Sequence, residues 1–223
     1  MNKYIENINQ QIQNTLELMQ KRGYIVYYNL PKIEEIKGES RLFWNNHKGG
    51  REVSSKYFLR VEQYLKILSD NAYLAIFNDF SIIRCAFTFI GNKIVSENLL
   101  WWPCPIKVDN DMANEFGIVE TIECMLQEAD LKRFLLMRSP IRIDFDVAND
   151  NVFHPRAHVH IESEECRINS NVPICFNRFI NHLVKCYYPS WHLYFSNSDY
   201  LNFQFDNPKK KEEYYNKTEI YFE

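Results

Sequence analysis

Two short stretches in the second half of the chain alternate strictly between apolar and polar residues. In the first stretch, Ile141, Ile143, Phe145 and Val147 alternate with Arg142, Asp144 and Asp146. In the second stretch, Ala157, Val159 and Ile161 alternate with His158, His160 and Glu162. Successive side chains of a β-strand point to opposite faces of a sheet, so this period of two predicts strands over Ile141–Val147 and Arg156–Glu162.

The two predicted strands are joined by a short connection, so we expect them to pair antiparallel. That pairing places all of the charged and imidazole side chains on one face: Arg142, Asp144, Asp146, His158, His160 and Glu162. The apolar face on the other side needs a covering layer. An apolar stripe at helical spacing predicts a helix over Phe176–Tyr187, which we expect to cover Ile143, Phe145, Val159 and Ile161.

The same periodicities assign most of the remaining chain. They predict helices over residues 3–22, 58–68 and 119–129, and strands over residues 24–28, 73–77, 81–90 and 94–102. Asn171 is the predicted N-cap of the Phe176–Tyr187 helix, with Pro173 as an early helical residue. Hairpin residues at Asn78-Asp79 and Gly91-Asn92 join three of the strands. The pattern predicts an α+β fold, an antiparallel meander sheet flanked by several helices.

Composition is compatible with one such unit. The chain has 223 residues, 46% of them hydrophobic, which is enough to bury a core. We expect a single α+β unit over residues 1–223, made of an N-terminal helix, strand and loop (1–55), a central core (56–190) and an aromatic and charged C-terminal extension (191–223). The net charge of −3 excludes a generally basic surface, so any nucleic-acid contact must come from a local patch.

We expect no targeting or membrane signal in the chain. Its N-terminus is polar, and no apolar run reaches the roughly 18 residues of a membrane span. The six cysteines are scattered without a Cys-x-x-Cys pair, a distribution that favours free thiols in a reducing compartment. We therefore expect a cytoplasmic protein without a membrane partner.

The polar face of the two paired strands is the candidate functional site. Two imidazoles on one strand and a carboxylate on its neighbour are the ligands that a divalent transition metal such as Zn²⁺, Mn²⁺ or Fe²⁺ takes. We predict His158, His160 and Asp144 as metal ligands, with His154 or Asp146 completing the site. Such a centre could hydrolyse a phosphodiester while Arg142 or Arg167 binds the phosphate.

Two other interpretations remain open from the sequence. In the first, no metal is involved, and His158 and His160 act as general base and acid on RNA while Arg142 stabilises the developing charge. In the second, the acids and bases form ion pairs on an exposed sheet face, because structural networks also gather such residues. The protein would then be a non-catalytic interaction or scaffolding subunit that binds a protein partner.

A series of motifs runs along the chain. In chain order, the motifs are Asn78-Asp79-Phe80-Ser81-Ile82-Ile83, Trp101-Trp102-Pro103-Cys104-Pro105, Arg142-Ile143-Asp144-Phe145-Asp146, His154-Pro155-x-x-His158-x-His160, Arg167, Phe176-x-x-Phe179-Ile180 and Tyr187-Tyr188-Pro189. Together these motifs resemble an uncharacterised bacterial family, domain of unknown function 2290. The resemblance covers roughly residues 55–190. The family pattern has a proline two residues after the arginine, where this chain has Asn169.

The resemblance implies family membership and no particular activity. Short bacterial toxins carry a similar outline, in which an Arg-x-Asp strand precedes a His-x-His strand, and this likeness is an analogy only. From the residues and this outline, we predict a bacterial defence- or toxin-associated effector that hydrolyses a nucleic-acid phosphodiester. The rival prediction is the non-catalytic subunit.

Overall fold

The computed structural model describes residues 3–47, 60–151, 154–161, 168–170, 172–206 and 219–220. Within these ranges, the chain forms five α-helices: α1 (Lys3–Lys21), α2 (Val61–Ser69), α3 (Asn110–Phe116), α4 (Ile118–Leu126) and α5 (Phe176–Tyr187). No helix in these ranges combines the length and the apolar character that crossing a bilayer requires.

Ten strands in the described part of the chain form one sheet. They are β1 (Ile25–Tyr28), β2 (Lys32–Ile36), β3 (Glu39–Phe43), β4 (Ala75–Phe77), β5 (Ile82–Ile90), β6 (Lys93–Trp102), β7 (Ile141–Asp146), β8 (Ala157–Ile161), β9 (Ile168–Ser170) and β10 (Glu219–Ile220). Their order is β1-β4-β5-β6-β7-β8-β9-β10, and the β2–β3 hairpin adds to β5 beside β4. Each pairing is antiparallel except β9 with β10. The predicted α+β class and antiparallel meander are confirmed.

The sheet is covered on both faces. On one face, α1 and α5 share a buried cluster with alternate residues of the central strands, including Ile143, Phe145 and Val159. On the other face, residues of α2, α3 and α4 form a second cluster with Leu100 and Trp102. The prediction that α5 packs against the apolar side of β7 and β8 is confirmed for three of its four residues. It is wrong for Ile161, which is 41% exposed at the end of β8.

The hydrophobic periodicity did not predict the β2–β3 hairpin. Its strands are mostly polar and partly exposed, so they lack the strong apolar alternation that identified β7 and β8. The turn between them is Lys37-Gly38, and both residues have positive φ (51° and 86°). That geometry belongs to a two-residue turn whose twist matches a hairpin, usually encoded by Asn-Gly or Asp-Gly. Because the first turn residue is a lysine, the usual sequence signature of this hairpin is absent.

Two helix starts also differ from the sequence prediction. Asp109 caps α3, where its side chain accepts hydrogen bonds from the backbone N–H groups of Asp111 and Met112. The apolar spacing did not predict α3, which is only seven residues long. Helix α5 begins at Phe176, with Cys175 as N-cap, so Pro173 precedes the helix. The predicted cap, Asn171, lies outside the described residues.

A carboxyl group lies within the main core. Glu97 of β6 is 2% exposed on the α1/α5 side of the sheet, where its Oε2 accepts a hydrogen bond from Ile174 N at 3.0 Å. Burial raises the pKa of Glu97 well above its usual value, and the bond from Ile174 offsets only part of that shift. The folded protein therefore holds a proton on Glu97 at pH values where the unfolded chain has released it.

We expect Glu97→Gln to make stability less dependent on pH. Because the folded-state pKa is raised, the Glu97 contribution opposes folding increasingly as pH rises above about 4.5, the ordinary value for glutamate. The slope is at most about 1.4 kcal/mol per pH unit for one group. Urea unfolding of both proteins between pH 5 and pH 8 measures the effect. The variant should gain stability over the wild type as pH rises, and parallel curves would contradict a protonated Glu97.

Candidate metal centre

The pairing of β7 with β8 gathers the predicted polar residues on one side of the sheet. Arg142 lies opposite His160 and Asp144 lies opposite His158, as the antiparallel register requires. These side chains are largely shielded from solvent. Arg142 is 9% exposed, His158 0% and His160 1%. The expectation of an exposed face of ion pairs, which belonged to the interaction-subunit interpretation, is therefore wrong.

Arg142 contacts two members of the cluster. Its Nε donates a hydrogen bond to Asp144 Oδ2 at 2.8 Å, and its Nη2 lies 2.9 Å from His160 Nε2. A guanidinium can only donate, so His160 Nε2 accepts this bond with its lone pair and the ring proton resides on Nδ1. Asp144 Oδ2 lies 3.2 Å from the same imidazole nitrogen. Burial alone would raise the pKa of Asp144, but the positive charge of the Arg142 guanidinium beside it opposes burial, and the pKa is lowered to about 2.

His158 is held in a single tautomer by the backbone. Its Nδ1 lies 2.6 Å from the carbonyl oxygen of Pro155, which can only accept, so Nδ1 carries the proton. The lone pair of Nε2 therefore points into the cluster, 3.8 Å from Asp144 Oδ2, and Nε2 has no hydrogen-bond partner among the described residues. Burial lowers the pKa of His158 to about 4, although Asp144 opposes the shift. The ring is neutral at pH 7.

His154 extends the cluster to a row of three rings. Its ring centroid lies 4.7 Å from that of His158, which in turn lies 4.7 Å from that of His160, and both contacts are edge-to-face. The backbone of His154 pairs with Asn151, which fixes the loop before β8. His154 is half-buried, so the row runs from the interior toward the surface. The structure thus places His154 beside His158, the nearer of the two predicted histidine ligands.

The structure does not bring Asp146 into this row. The carboxylate of Asp146 accepts hydrogen bonds from Ala148 N and Asn149 Nδ2 at 2.8 and 2.5 Å, so it stabilises the turn after β7. Arg167 lies outside the described residues. The roles of Asp146 and Arg167 in catalysis stay predictions.

Two asparagines belong to the site and were missed from the sequence. Asn98 of β6 donates from Nδ2 to Asp144 Oδ1 at 2.7 Å, which leaves Oδ2 to face Arg142 and the histidines. Asn169 of β9 lies opposite His158 and is buried, and its Oδ1 has no hydrogen-bond partner among the described residues. Residues 94–102 do not alternate between apolar and polar side chains, so only the β6–β7 register shows that Asn98 meets Asp144.

The donor atoms fit a transition metal. Bonds of ~2.0–2.2 Å place the ligand atoms of a tetrahedral site about 3.4 Å apart. Here Asp144 Oδ2 lies 3.2 Å from His160 Nε2 and 3.8 Å from His158 Nε2. Asp144, His158 and His160 are the one group of three or more potential ligands in the described ranges, with ligand atoms within 4.8 Å of one another. Two imidazoles with one carboxylate suit Zn²⁺, Mn²⁺ or Fe²⁺.

Comparison with known protein families identifies the same family that the sequence motifs resemble. The model of a family of uncharacterized conserved proteins (DUF2290) matches residues 20–221. The chain belongs to the DUF2290 family. The match extends beyond the resemblance over residues 55–190, because it includes β1 to β3 and reaches β10. No curated protein and no solved structure matches the chain. The DUF2290 description assigns no activity, so function has to be inferred from the site itself.

Proposed function

We propose that the chain is a metal-dependent phosphodiesterase that acts on nucleic acid, with Asp144, His158 and His160 as the metal ligands. The observation that carries this proposal is the convergence of three electron-pair donors. Asp144 Oδ2 lies within 3.8 Å of both His158 Nε2 and His160 Nε2. Each of the three atoms carries a lone pair, and Arg142 engages the lone pair of His160 Nε2.

The electrostatics of His158 favour a cation at this point. Its lone pair faces the oxygen of an ionised carboxylate in a buried site, and two acceptors repel each other there. A buried acceptor without a donor costs about 1–3 kcal/mol, so a purely structural network would be expected to satisfy it. The bond from Nδ1 to the Pro155 carbonyl is also the arrangement that commonly orients a metal-binding imidazole.

The residues around the ligands suit phosphate chemistry. A divalent ion held there would supply Lewis acidity, which polarises a phosphoryl oxygen and makes a water molecule more acidic. Arg142 can bind a phosphate oxygen through its planar guanidinium. His154 lies at the half-buried end of the histidine row, in edge-to-face contact with His158.

The metal-free alternative receives less support. A general acid or base works best with a pKa near the working pH. Burial lowers the pKa of His158 to about 4, so at pH 7 the ring is neutral but too weakly basic to be an efficient general base. The same neutrality is what a metal ligand requires.

The interaction-subunit alternative is favoured by one observation. The ion pair between Arg142 and Asp144 neutralises the carboxylate of the candidate ligand set, so the charges balance without a ligand. Large apolar side chains are also exposed at Leu135 and Met137, which could contact a protein partner. Under this alternative the histidine row is structural, and no substrate is turned over.

We place the activity in a reducing compartment. All five cysteines within the described residues are free thiols, which is the state expected in the cytoplasm. We further propose that the substrate is a nucleic acid because the outline of β7 and β8 is similar to that of short bacterial toxins. A defence or toxin module is the biological setting that follows from this analogy.

Hydrolysis assays with tag-free protein test the proposal. The substrates are bis(p-nitrophenyl) phosphate and labelled single-stranded RNA and DNA, assayed before chelation, after chelation and after adding back Mn²⁺ or Zn²⁺. We expect chelation to abolish hydrolysis, metal to restore it, and Asp144→Asn to lower kcat at least about a hundredfold, because one ligand is lost. Hydrolysis that resists chelation would indicate the metal-free mechanism. If the metal-bound protein hydrolyses none of the substrates, the result would support the interaction-subunit alternative.

A further inference from the structure

Arg142 engages two of the three atoms that would ligate the metal. Its Nε bonds Asp144 Oδ2 and its Nη2 bonds His160 Nε2, at 2.8 and 2.9 Å. The imidazole nitrogen has a single lone pair, which it cannot direct to a guanidinium and to a metal ion at once. At Asp144 Oδ2, the guanidinium and a metal ion would be two cations on one oxygen atom. The contacts of Arg142 and ligation by this pair of atoms are therefore competing arrangements.

The competition is between two cations for one buried anion. The Arg142 guanidinium supplies the positive charge that the buried Asp144 carboxylate needs. A divalent ion would supply that charge instead. Two positive groups on the same oxygen would repel each other at short range in a buried site, where screening by solvent is weak.

The exposed fractions of the side chains indicate the direction in which the Arg142 guanidinium could move. The side chains of Arg142 and Asp144 are 11% and 18% exposed, whereas those of His158 and His160 are at most 1% exposed. The cluster thus reaches solvent on the side of Arg142 and Asp144. Arginine has a long flexible stem, so its head group can leave the carboxylate without moving β7.

We infer that Arg142 is an internal competitor for the metal centre, and that its release couples metal binding to phosphate binding. This inference rests on the proposed function. Arg142 leaves Asp144 Oδ2 and His160 Nε2 before these atoms ligate a metal, and its guanidinium is then available to an oxygen of the phosphodiester substrate. Since coupling between two ligands is reciprocal, a phosphodiester must strengthen metal binding by the same factor by which metal strengthens phosphodiester binding.

Metal titrations of three arginine variants test the inference. Arg142→Gln removes the competing charge, and Arg142→Lys keeps a charge whose compact ammonium does not reproduce the planar two-point contact of the guanidinium. Arg156→Gln is the matched control, because Arg156 is also buried (8% exposed) on a neighbouring segment but contacts Asp206 O and the Phe145 ring. Affinity for Mn²⁺ and Zn²⁺ is measured by calorimetry on tag-free, chelator-treated protein.

We expect Arg142→Gln to bind metal about tenfold or more tightly than the wild type, since two charge-assisted hydrogen bonds no longer have to break. Arg142→Lys should show a smaller gain, and Arg156→Gln should match the wild type. Dimethyl phosphate should raise the Mn²⁺ affinity of the wild type and leave that of Arg142→Gln unchanged. If Arg142→Gln folds poorly, two other measurements compare metal affinity with that of the wild type. They are the rise in melting temperature on adding Mn²⁺ and the metal titration of Arg142→Lys.

The possible outcomes distinguish a failure of this inference from a failure of the proposed function. Equal or weaker metal affinity in Arg142→Gln and Arg142→Lys, with metal bound by the wild type, would overturn the competition and leave the metal centre standing. A phosphodiester effect that persists in Arg142→Gln would overturn the coupling. Absence of metal binding in the wild type and in every variant would overturn the proposed function and this inference together.

Discussion

The double replacement His158→Ala/His160→Ala is expected to abolish stoichiometric binding of Mn²⁺ or Zn²⁺. It leaves Asp144 as the only remaining ligand of the set, and Arg142 stays bonded to that carboxylate. Losing a residue that merely orients a ligand typically costs ~10–100-fold in metal affinity, so losing two ligands should cost more than this. Metal content after purification without a histidine tag, followed by titration of the stripped proteins, measures the change.

Two histidines outside the cluster give a matched control. His182 lies on α5, which covers the apolar face of β7 and β8, and His192 follows that helix in the chain. His182→Ala/His192→Ala should therefore bind metal like the wild type. Circular dichroism establishes that both double variants are folded. Unchanged metal binding after loss of His158 and His160 would place the metal elsewhere, and absence of metal in every protein would favour the interaction subunit.

Asp79→Ala is expected to lower the free energy of unfolding by about 2–4 kcal/mol. Asp79 Oδ2 accepts hydrogen bonds from Arg138 Nη1 at 2.6 Å and from the Tyr188 hydroxyl at 3.1 Å. The Tyr188 oxygen in turn accepts from Trp101 Nε1 at 3.1 Å. Alanine leaves these donors without their acceptor inside a largely buried network, and such a loss costs more than the pair itself contributes.

The same carboxylate also stabilises a strained turn. Asp79 Oδ1 accepts a hydrogen bond from Ser81 N, and between them Phe80 has a φ of +63°, a conformation that bulky side chains rarely adopt. The network joins three motifs on which the family resemblance rests, because Asp79, Trp101 and Tyr188 come from separate parts of the chain. We therefore regard this cluster as the structural junction of the sheet with α5.

Urea unfolding of Asp79→Ala beside Glu39→Ala measures the effect against a surface pair. Glu39 pairs with Arg41 at 2.7 Å, and both side chains are at least 35% exposed, so its loss should change stability by no more than ~1 kcal/mol. Comparable losses in the two variants would show that the Asp79 network contributes no more than an exposed ion pair. A much larger loss in Asp79→Ala would confirm its role as the junction.

Local periodicity was sufficient to predict the two strands, β7 and β8, that hold the candidate site. Side chains of a strand alternate between two faces whatever the rest of the fold does, so the positions of Arg142, Asp144, His158 and His160 on one face followed from their spacing. The short connection between β7 and β8 made antiparallel pairing the expected arrangement. The apolar stripe of α5 similarly determined which side of that helix would be buried.

The sequence by itself thus determined the α+β class, the faces of β7 and β8, and the residue types of the site. The tertiary structure decided the burial of the polar face, the contact of Asn98 with Asp144 across 46 residues, and the bridging of Asp144 and His160 by Arg142. Strand register and the covering layers depend on contacts between distant segments, whereas periodicity reports only on neighbours along the chain. For this reason the spacing of residues identified the candidate ligands, whereas the competition of Arg142 for them became visible only in the tertiary structure.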